Sequence, residues 1–311
     1  MKTRVLIRSA LAAALSVVIS SSAQADPTVF VADTGRNTPD CSRANRPCRT
    51  LDHAIAQVDP GGEVVIIESG SYAGATIPKS LTIEAAPGTA AVVNGAINVT
   101  AGLGAVVVLR GLTVKDPTPT TKGPGITAPA GASLTLENCV VDGWGGAPTG
   151  LAAIQVSGGM LHVVGTTVRN YGSGGILINN GSTAEALVTI DGSRFHGSGG
   201  SSALVCGVMV LDGGKATIRD SVVTHSSTGV CVDIENGGAA EMTVDHSLLT
   251  HNFRGIGVYN GAIVRVSNSV ITNSTLGGLN EGGGQAYSLG NNLMEGNTTD
   301  WFGPLTVISP K

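Results

Sequence analysis

The chain has 311 residues, with 42% hydrophobic, 13% charged and 3% aromatic side chains, 45 glycines and a formal net charge of −4. A glycine-rich chain with many β-branched residues and few charges is not a disordered one. Its acidic balance argues against a protein that grips nucleic acid through phosphate neutralisation.

Residues 1–25 read as an export signal. Lys2, Arg4 and Arg8 give a positive start, Leu11 to Ile19 is apolar, and Ala23-Gln24-Ala25 offers small residues for cleavage. The apolar run is too short to cross a bilayer, and no other segment could. The expected location is therefore secreted or periplasmic, with a mature start at Asp26. From there on, 15 Lys and Arg face 22 Asp and Glu, a net charge of −7.

Residues 26–60 form an expected cap segment. Cys41 and Cys48 close a short loop, and in an oxidising compartment a disulfide between them is expected. Leu51, Ala54, Ile55 and Val58 fall at i, i+3, i+4 and i+7, one face of a short helix that Pro60-Gly61 should stop.

Residues 61–311 are dominated by a repeated phrase. It reads LTLENCVVDG from Leu134, LHVVGTTVRN from Leu161, VTIDGSRFHG from Val188, ATIRDSVVTH from Ala216, MTVDHSLLTH from Met242 and VRVSNSVITN from Val264. Anchored on the third residue, the copies stand at Leu136, Val163, Ile190, Ile218, Val244 and Val266, separated by 27, 27, 28, 26 and 22 residues. Such a period marks a solenoid, and short β-branched runs broken by Gly, Asn and Asp mark strands and turns. A second apolar run follows in most units (GGILI, GVMVL, GVCVDI, GIGVY), so each rung should hold two or three strands. Parallel rungs repeat at about 4.8 Å, and equivalent positions become columns along the axis.

Two columns set the register. Five residues past the anchors stand Val114, Val141, Val168, Phe195, Val223, Leu249, Ile271 and Met294, uniformly apolar and hence core. Two places earlier stand Leu112, Cys139, Thr166, Ser193, Ser221, Ser247, Ser269 and Asn292, which after the first are small or polar. Cys139 reads as a buried thiol. Cys206 and Cys231 lie on neighbouring rungs, where geometry decides whether they bridge.

The stretch 47–83 and the repeats after it resemble right-handed parallel β-helix proteins of the pectin-lyase-like superfamily. The residues that carry the likeness are Thr50-Leu51, Ala54-Ile55, Pro60-Gly61-Gly62 and Gly70-Ser71-Tyr72. The resemblance implies an all-β, single-stranded right-handed parallel β-helix of about nine or ten rungs behind a short N-terminal capping helix. It also implies an extended groove along the rungs where polymers bind. The fold alone does not choose among lyases, hydrolases, esterases, epimerases and adhesins.

Catalytic motifs familiar in the superfamily are missing. There is no Asn-Thr-Asp, Asp-Asp or Gly-His-Gly set, and Val244-Asp245-His246-Ser247 repeats slots that Ile218-Arg219-Asp220-Ser221 fills in the neighbouring copy. No motif points to a metal or cofactor, and none is expected, although acidic side chains from separate rungs could still converge on Ca²⁺. The acidic set Asp212, Asp233 and Glu235 reads as a solvated edge. The stretch Asp116–Pro124 reads as a protruding loop.

The columns beside the core one offer the remaining chemistry. Asp142, Trp144, Arg169, Tyr171, His196, His225 and His251 should share one lateral strip over five rungs. Asp142, Trp144, Arg169 and Tyr171 are candidate substrate-binding residues. His196, His225 or His251 is a candidate catalytic base, with Arg169 clamping a carboxylate. Asn170 and Asn273 share the column of His225 and His251, which also fits plain turn positions. The leading expectation is an exported protein that binds an acidic or cell-envelope polysaccharide on its lateral face. A lyase or C5-epimerase on uronate polymers is the alternative, and a structural or adhesive rod the third.

Overall fold

The computed structural model describes residues 26–38, 40–118, 123–144, 152–179, 185–197 and 205–309. The expected signal (1–25) and the middle of the 116–124 loop lie outside them. Within them the chain winds as a right-handed parallel β-solenoid. One sheet has twelve strands and takes one strand from each turn; the other has eighteen and takes the rest.

A representative turn runs through Glu241–Asp245 in the first sheet and Leu248–Thr250 and Arg254–Val258 in the second, and returns at Ile263–Ser267. About eight turns of this three-strand kind are present among the described residues. The expectation of nine or ten rungs is corrected by the first turns. There Gly70–Ile77 and Ala91–Val99 run through the second corner as single long strands, so they lack the three-strand form. No helix of the described residues is long and apolar enough to cross a membrane.

The helix Leu51–Gln57 (α1) buries Leu51, Ala54 and Ile55, and the Thr50 side chain accepts a hydrogen bond from His53 N at 3.3 Å to cap it. Its end comes before Pro60. Val58 is already extended (ψ 147°) and 1% exposed, because its branched side chain enters the core as the first residue of the strand Val58–Ile66. That strand pairs in parallel with Asp26–Val31, so the expected cap segment also supplies the sheet's first strand.

The predicted core column is present. Val114, Val141, Val168, Phe195, Val223, Leu249 and Ile271 pair in register from turn to turn and are all fully buried. Met294 continues it and is half-buried at the last full turn.

The small column has a specific task. Six successive first corners turn on one residue of positive φ: Asn138, Gly165, Gly192, Asp220, His246 and Asn268, with φ between 44° and 56°. After such a residue the next backbone N–H leaves the strand ladder and needs another acceptor. The following turn supplies it. Thr166 N donates to Ser193 Oγ (3.2 Å), Ser193 N to Ser221 Oγ (3.1 Å), Ser221 N to Ser247 Oγ (3.2 Å) and Ser247 N to Ser269 Oγ (3.2 Å). Each of these serine hydroxyls in turn donates to the carbonyl two residues earlier in its own chain, as Ser221 does to Arg219 O at 2.7 Å. Hydroxyl side chains suit this column because they accept and donate in one small group.

Two bridges are formed. Cys41 and Cys48 are joined with Cα atoms 5.3 Å apart. Cys206 and Cys231 are joined at 6.1 Å, although Cys231 lies in register with Met209, so the bridge runs diagonally between turns. Cys139 is a buried free thiol, with Sγ placed 3.3 Å from Leu109 O in the slot that serine fills elsewhere.

Candidate functional site

The second corner builds a lateral file. Lys115, Asp142, Arg169, His196, Thr224 and Thr250 stand in register on successive turns. All are outward and at least partly exposed. On several turns the next residue has positive φ: Asn170, His225 and His251 at 55° and, one turn further on, Asn273 at 52°. Asn and His tolerate this conformation better than most side chains, so the corner itself favours them.

The imidazoles form a stack. His196 and His225 have ring centroids 4.6 Å apart and planes inclined by 21°; His225 and His251 are 5.6 Å apart and inclined by 4°. Thr224 Oγ1 lies 2.8 Å from His225 Nδ1, and Thr250 Oγ1 lies 2.9 Å from His251 Nδ1. These contacts set both rings and leave Nε2 directed away from them. Burial, then the neighbouring His196 and His251, push the His225 imidazole below its ordinary value.

One turn earlier Arg169 donates from Nη2 to Asp142 Oδ2 at 2.9 Å, and Asn170 Nδ2 donates to Asp142 Oδ1 at 2.7 Å. The Arg169 side chain is still 50% exposed. On the other flank a shallow groove of about 740 Å³ is lined by His225, His251, Phe253, Asn273, Thr275 and Thr298. Phe253 is 49% exposed, and Arg254 lies 5.3 Å from its ring centre. The sequence reading missed Phe253. Its signal is that Thr275 and Thr298 follow the corner at the equivalent place, so a phenylalanine there has no turn to make and no core to fill.

Two expected members of the strip are elsewhere. Trp144 is 2% exposed and donates from Nε1 to Val114 O at 3.1 Å; Tyr171 is fully buried with its hydroxyl 2.7 Å from Ser226 Oγ. Neither offers a surface to a ligand, and the substrate-binding role expected for them is withdrawn. Each follows the positive-φ corner residue (Gly143, Asn170), and that residue reverses the in–out alternation. Asp142, Arg169, His196, His225 and His251 do share one face.

Asp212 also departs from expectation. It is fully buried, accepting from Glu235 N (2.9 Å), Asn236 N (3.1 Å) and Asn236 Nδ2 (3.0 Å). It organises the adjacent turn and is not a solvated edge. At the first corner Asp245 accepts from Ser267 Oγ (2.5 Å) and Asn268 Nδ2 (2.9 Å) and pairs with His246 Nδ1 (2.9 Å). These hydrogen bonds, Ser267 first, hold its carboxyl down at about 2. Among the described residues, three potential metal-ligand atoms come together at Cys41, Cys48 and His53, where both sulfurs are spent in the disulfide.

Residues 95–262 and 206–300 match the family model described as a right-handed β-helix region, and the chain belongs to that family. Among solved structures it is similar to a pectate lyase (TM-score 0.52, 17% identity, covering 90% of this chain and 77% of that one). It is likewise similar to a rhamnogalacturonan lyase (TM-score 0.53, 14% identity, covering 84% and 75%). At these identities the likeness is one of fold. No curated protein matches the chain.

Proposed function

We propose that this is an exported β-helix protein that binds an acidic or cell-envelope polysaccharide along the lateral face of Asp142, Arg169, His196, His225 and His251. One observation carries the reading: nitrogen-bearing side chains stand in file on successive turns, with a shallow groove and the exposed Phe253 beside them. A ladder repeating at about 4.8 Å suits a linear polymer with regularly spaced carboxylates better than a compact ligand. The Arg169 Nη1 and Nε groups are left to meet a carboxylate while Nη2 holds Asp142. Phe253 offers a face for a sugar ring. In this reading residues 1–25 direct export, the protein is secreted or periplasmic, and α1 covers the first turn of the stack.

A second reading is a lyase or C5-epimerase on uronate polymers. His196 stands in register beside Arg169, so a clamped carboxylate would bring the sugar's acidic C5 proton towards His196, His225 or His251. One experiment separates the readings. The protein is run in affinity gels containing pectate, alginate or hyaluronan, with and without Ca²⁺, while ultraviolet absorbance follows unsaturated product. Retardation without product supports binding, product supports the lyase, and neither on any polymer would leave the rod.

A further inference from the structure

The N-terminal end holds a second charged site, built from residues outside the repeats. A cavity of about 520 Å³ is lined, among the described residues, by Thr34, Arg36, Thr38, Asp40, Asn45, Arg46 and Pro47. Its volume suits a molecule of one or two sugar rings. The side chains that line it carry charged, hydroxyl and amide groups, so charge and hydrogen bonding can orient a ligand there.

The walls are held in place. The Cys41–Cys48 bridge closes the loop, and Arg36 N donates to Pro47 O at 3.0 Å across it. Asn37 Oδ1 accepts from Arg49 N (3.0 Å) and Thr50 N (3.1 Å), and His53 Nε2 lies 2.7 Å from Thr38 O. A loop fixed this way loses little freedom when a ligand arrives.

The charge is local and runs against the rest of the protein. Residues 33–49 contain Arg36, Arg43, Arg46 and Arg49 against Asp33 and Asp40, whereas residues 26–311 together are net −7. Arg49 is paired with Asp33 at 3.0 Å. Arg36 and Arg46, on the cavity wall, make no ion pair within 4 Å among the described residues. The carboxylates nearby are engaged by neutral donors. Asp40 Oδ1 accepts from Ser42 N and Oγ, and Glu68 Oε2 accepts from Thr34 N and Oγ1. These bonds hold both carboxyls below their ordinary values, with the charges of Arg43 and Arg46 adding to the effect at Asp40, and neither carboxylate forms an ion pair with Arg36 or Arg46. The second oxygen of Asp40 makes none of these bonds and can accept from a hydroxyl.

We propose that this cavity binds a small, hydroxyl-rich molecule bearing an oxyanion, a sugar acid or sugar phosphate. Arg36 and Arg46 take the oxyanion, and Asp40, Thr38 and Asn45 meet the hydroxyls. Guanidinium groups fit planar carboxylate and tetrahedral phosphate alike through paired N–H donors, so both sources share one chemistry. The site is separate from the lateral face and stands whatever that face binds.

Calorimetry on the intact protein at low salt tests it with galacturonate, glucose 6-phosphate, inorganic phosphate and neutral galactose. The two acidic sugars should bind and galactose should not. Arg36→Ala with Arg46→Ala should weaken the acidic sugars at least tenfold at unchanged melting temperature, since both side chains are exposed. Asp40→Asn should weaken the acidic sugars but not inorganic phosphate. A carboxylate-only or phosphate-only response names the source. Binding of galactose equal to galacturonate, absence of binding by every acidic probe, or full affinity in the double variant would overturn the site.

Discussion

His196 and His225 stack with ring centroids 4.6 Å apart, and a third ring, His251, continues the stack on the far side of His225. Protonating one ring makes protonating the next harder. His225, in the middle, is pushed below its ordinary 6.5 by burial first and by its two neighbours next. The unfolded chain, with the ordinary value, then takes up more protons just below pH 6.5. The contribution to stability is full above that pH and falls as pH drops through the folded midpoint. An NMR titration should place the His225 midpoint below 6.5, and His196→Asn should raise it. An unmoved midpoint in that variant would show that the rings do not communicate.

The same linkage bears on the lateral face. A polyanion lying along it would favour the protonated rings, so affinity for pectate should rise as pH falls from 8 to 5. Arg169→Ala should cost about 1.5–3 kcal/mol of binding, the range for a hydrogen bond to a charged group. It should also flatten the dependence on salt. Fluorescence anisotropy with labelled oligogalacturonate reads both effects. Unchanged affinity in Arg169→Ala would remove this face as the binding site even if the polymer binds elsewhere.

The register was legible because Val141, Val168, Phe195, Val223, Leu249 and Ile271 recur at a nearly constant interval, and any slip would expose them all. The strip was only half legible. Counting alternate residues outward from Arg169 reaches Tyr171, but Asn170 sits at φ 55° and the count changes parity there. The correction was present in the sequence. Ser226, Asn252 and Ser274 share the column of Tyr171 and carry the same small polar character as Ser193, Ser221 and Ser247 at the first corner. Their bonds also match, since Ser226 N donates to Asn252 Oδ1 (2.9 Å) and Asn252 N to Ser274 Oγ (3.3 Å). Side-chain stacking of the histidines, and the burial of Asp212 by a turn from the next rung, depend on rotamers and loop paths that no periodicity encodes.

Cys139 stands in the serine column, and that gives a chemical prediction. Burial pushes its thiol up to about 11. At pH 8 it should therefore resist alkylation in the folded protein and react only on unfolding. Cys139→Ser should retain stability, because a hydroxyl there meets the carbonyls of Leu109 and Glu137 that the thiol now faces. By contrast Ser221→Ala leaves Ser193 N without its acceptor and should cost about 1–3 kcal/mol. Chemical denaturation of the two variants checks the contrast. A larger loss in Cys139→Ser than in Ser221→Ala would mean that the column is selected for volume and not for hydrogen bonding.

Both tryptophans lie against glycine. The Trp144 ring rests on Gly125, where an added Cβ would sit 2.7 Å from ring atoms, and that of Trp301 rests on Gly278, where an added Cβ would overlap the ring outright. Gly278 occupies the inward column that Ile154, Ile176, Val208, Val230 and Ile256 fill on earlier turns. Dropping to glycine there opens room for Trp301, which pairs with it in register from the next turn and closes that end of the core. Gly278→Val restores the aliphatic column but pushes the indole outward. The expected result is a red-shifted tryptophan emission with greater access to acrylamide, and a loss of about 1–3 kcal/mol from overpacking. The double change Gly278→Val with Trp301→Ala should recover part of that loss, because the clash is gone and the column continues. An additive loss in the double variant would show that the two residues do not act as a pair.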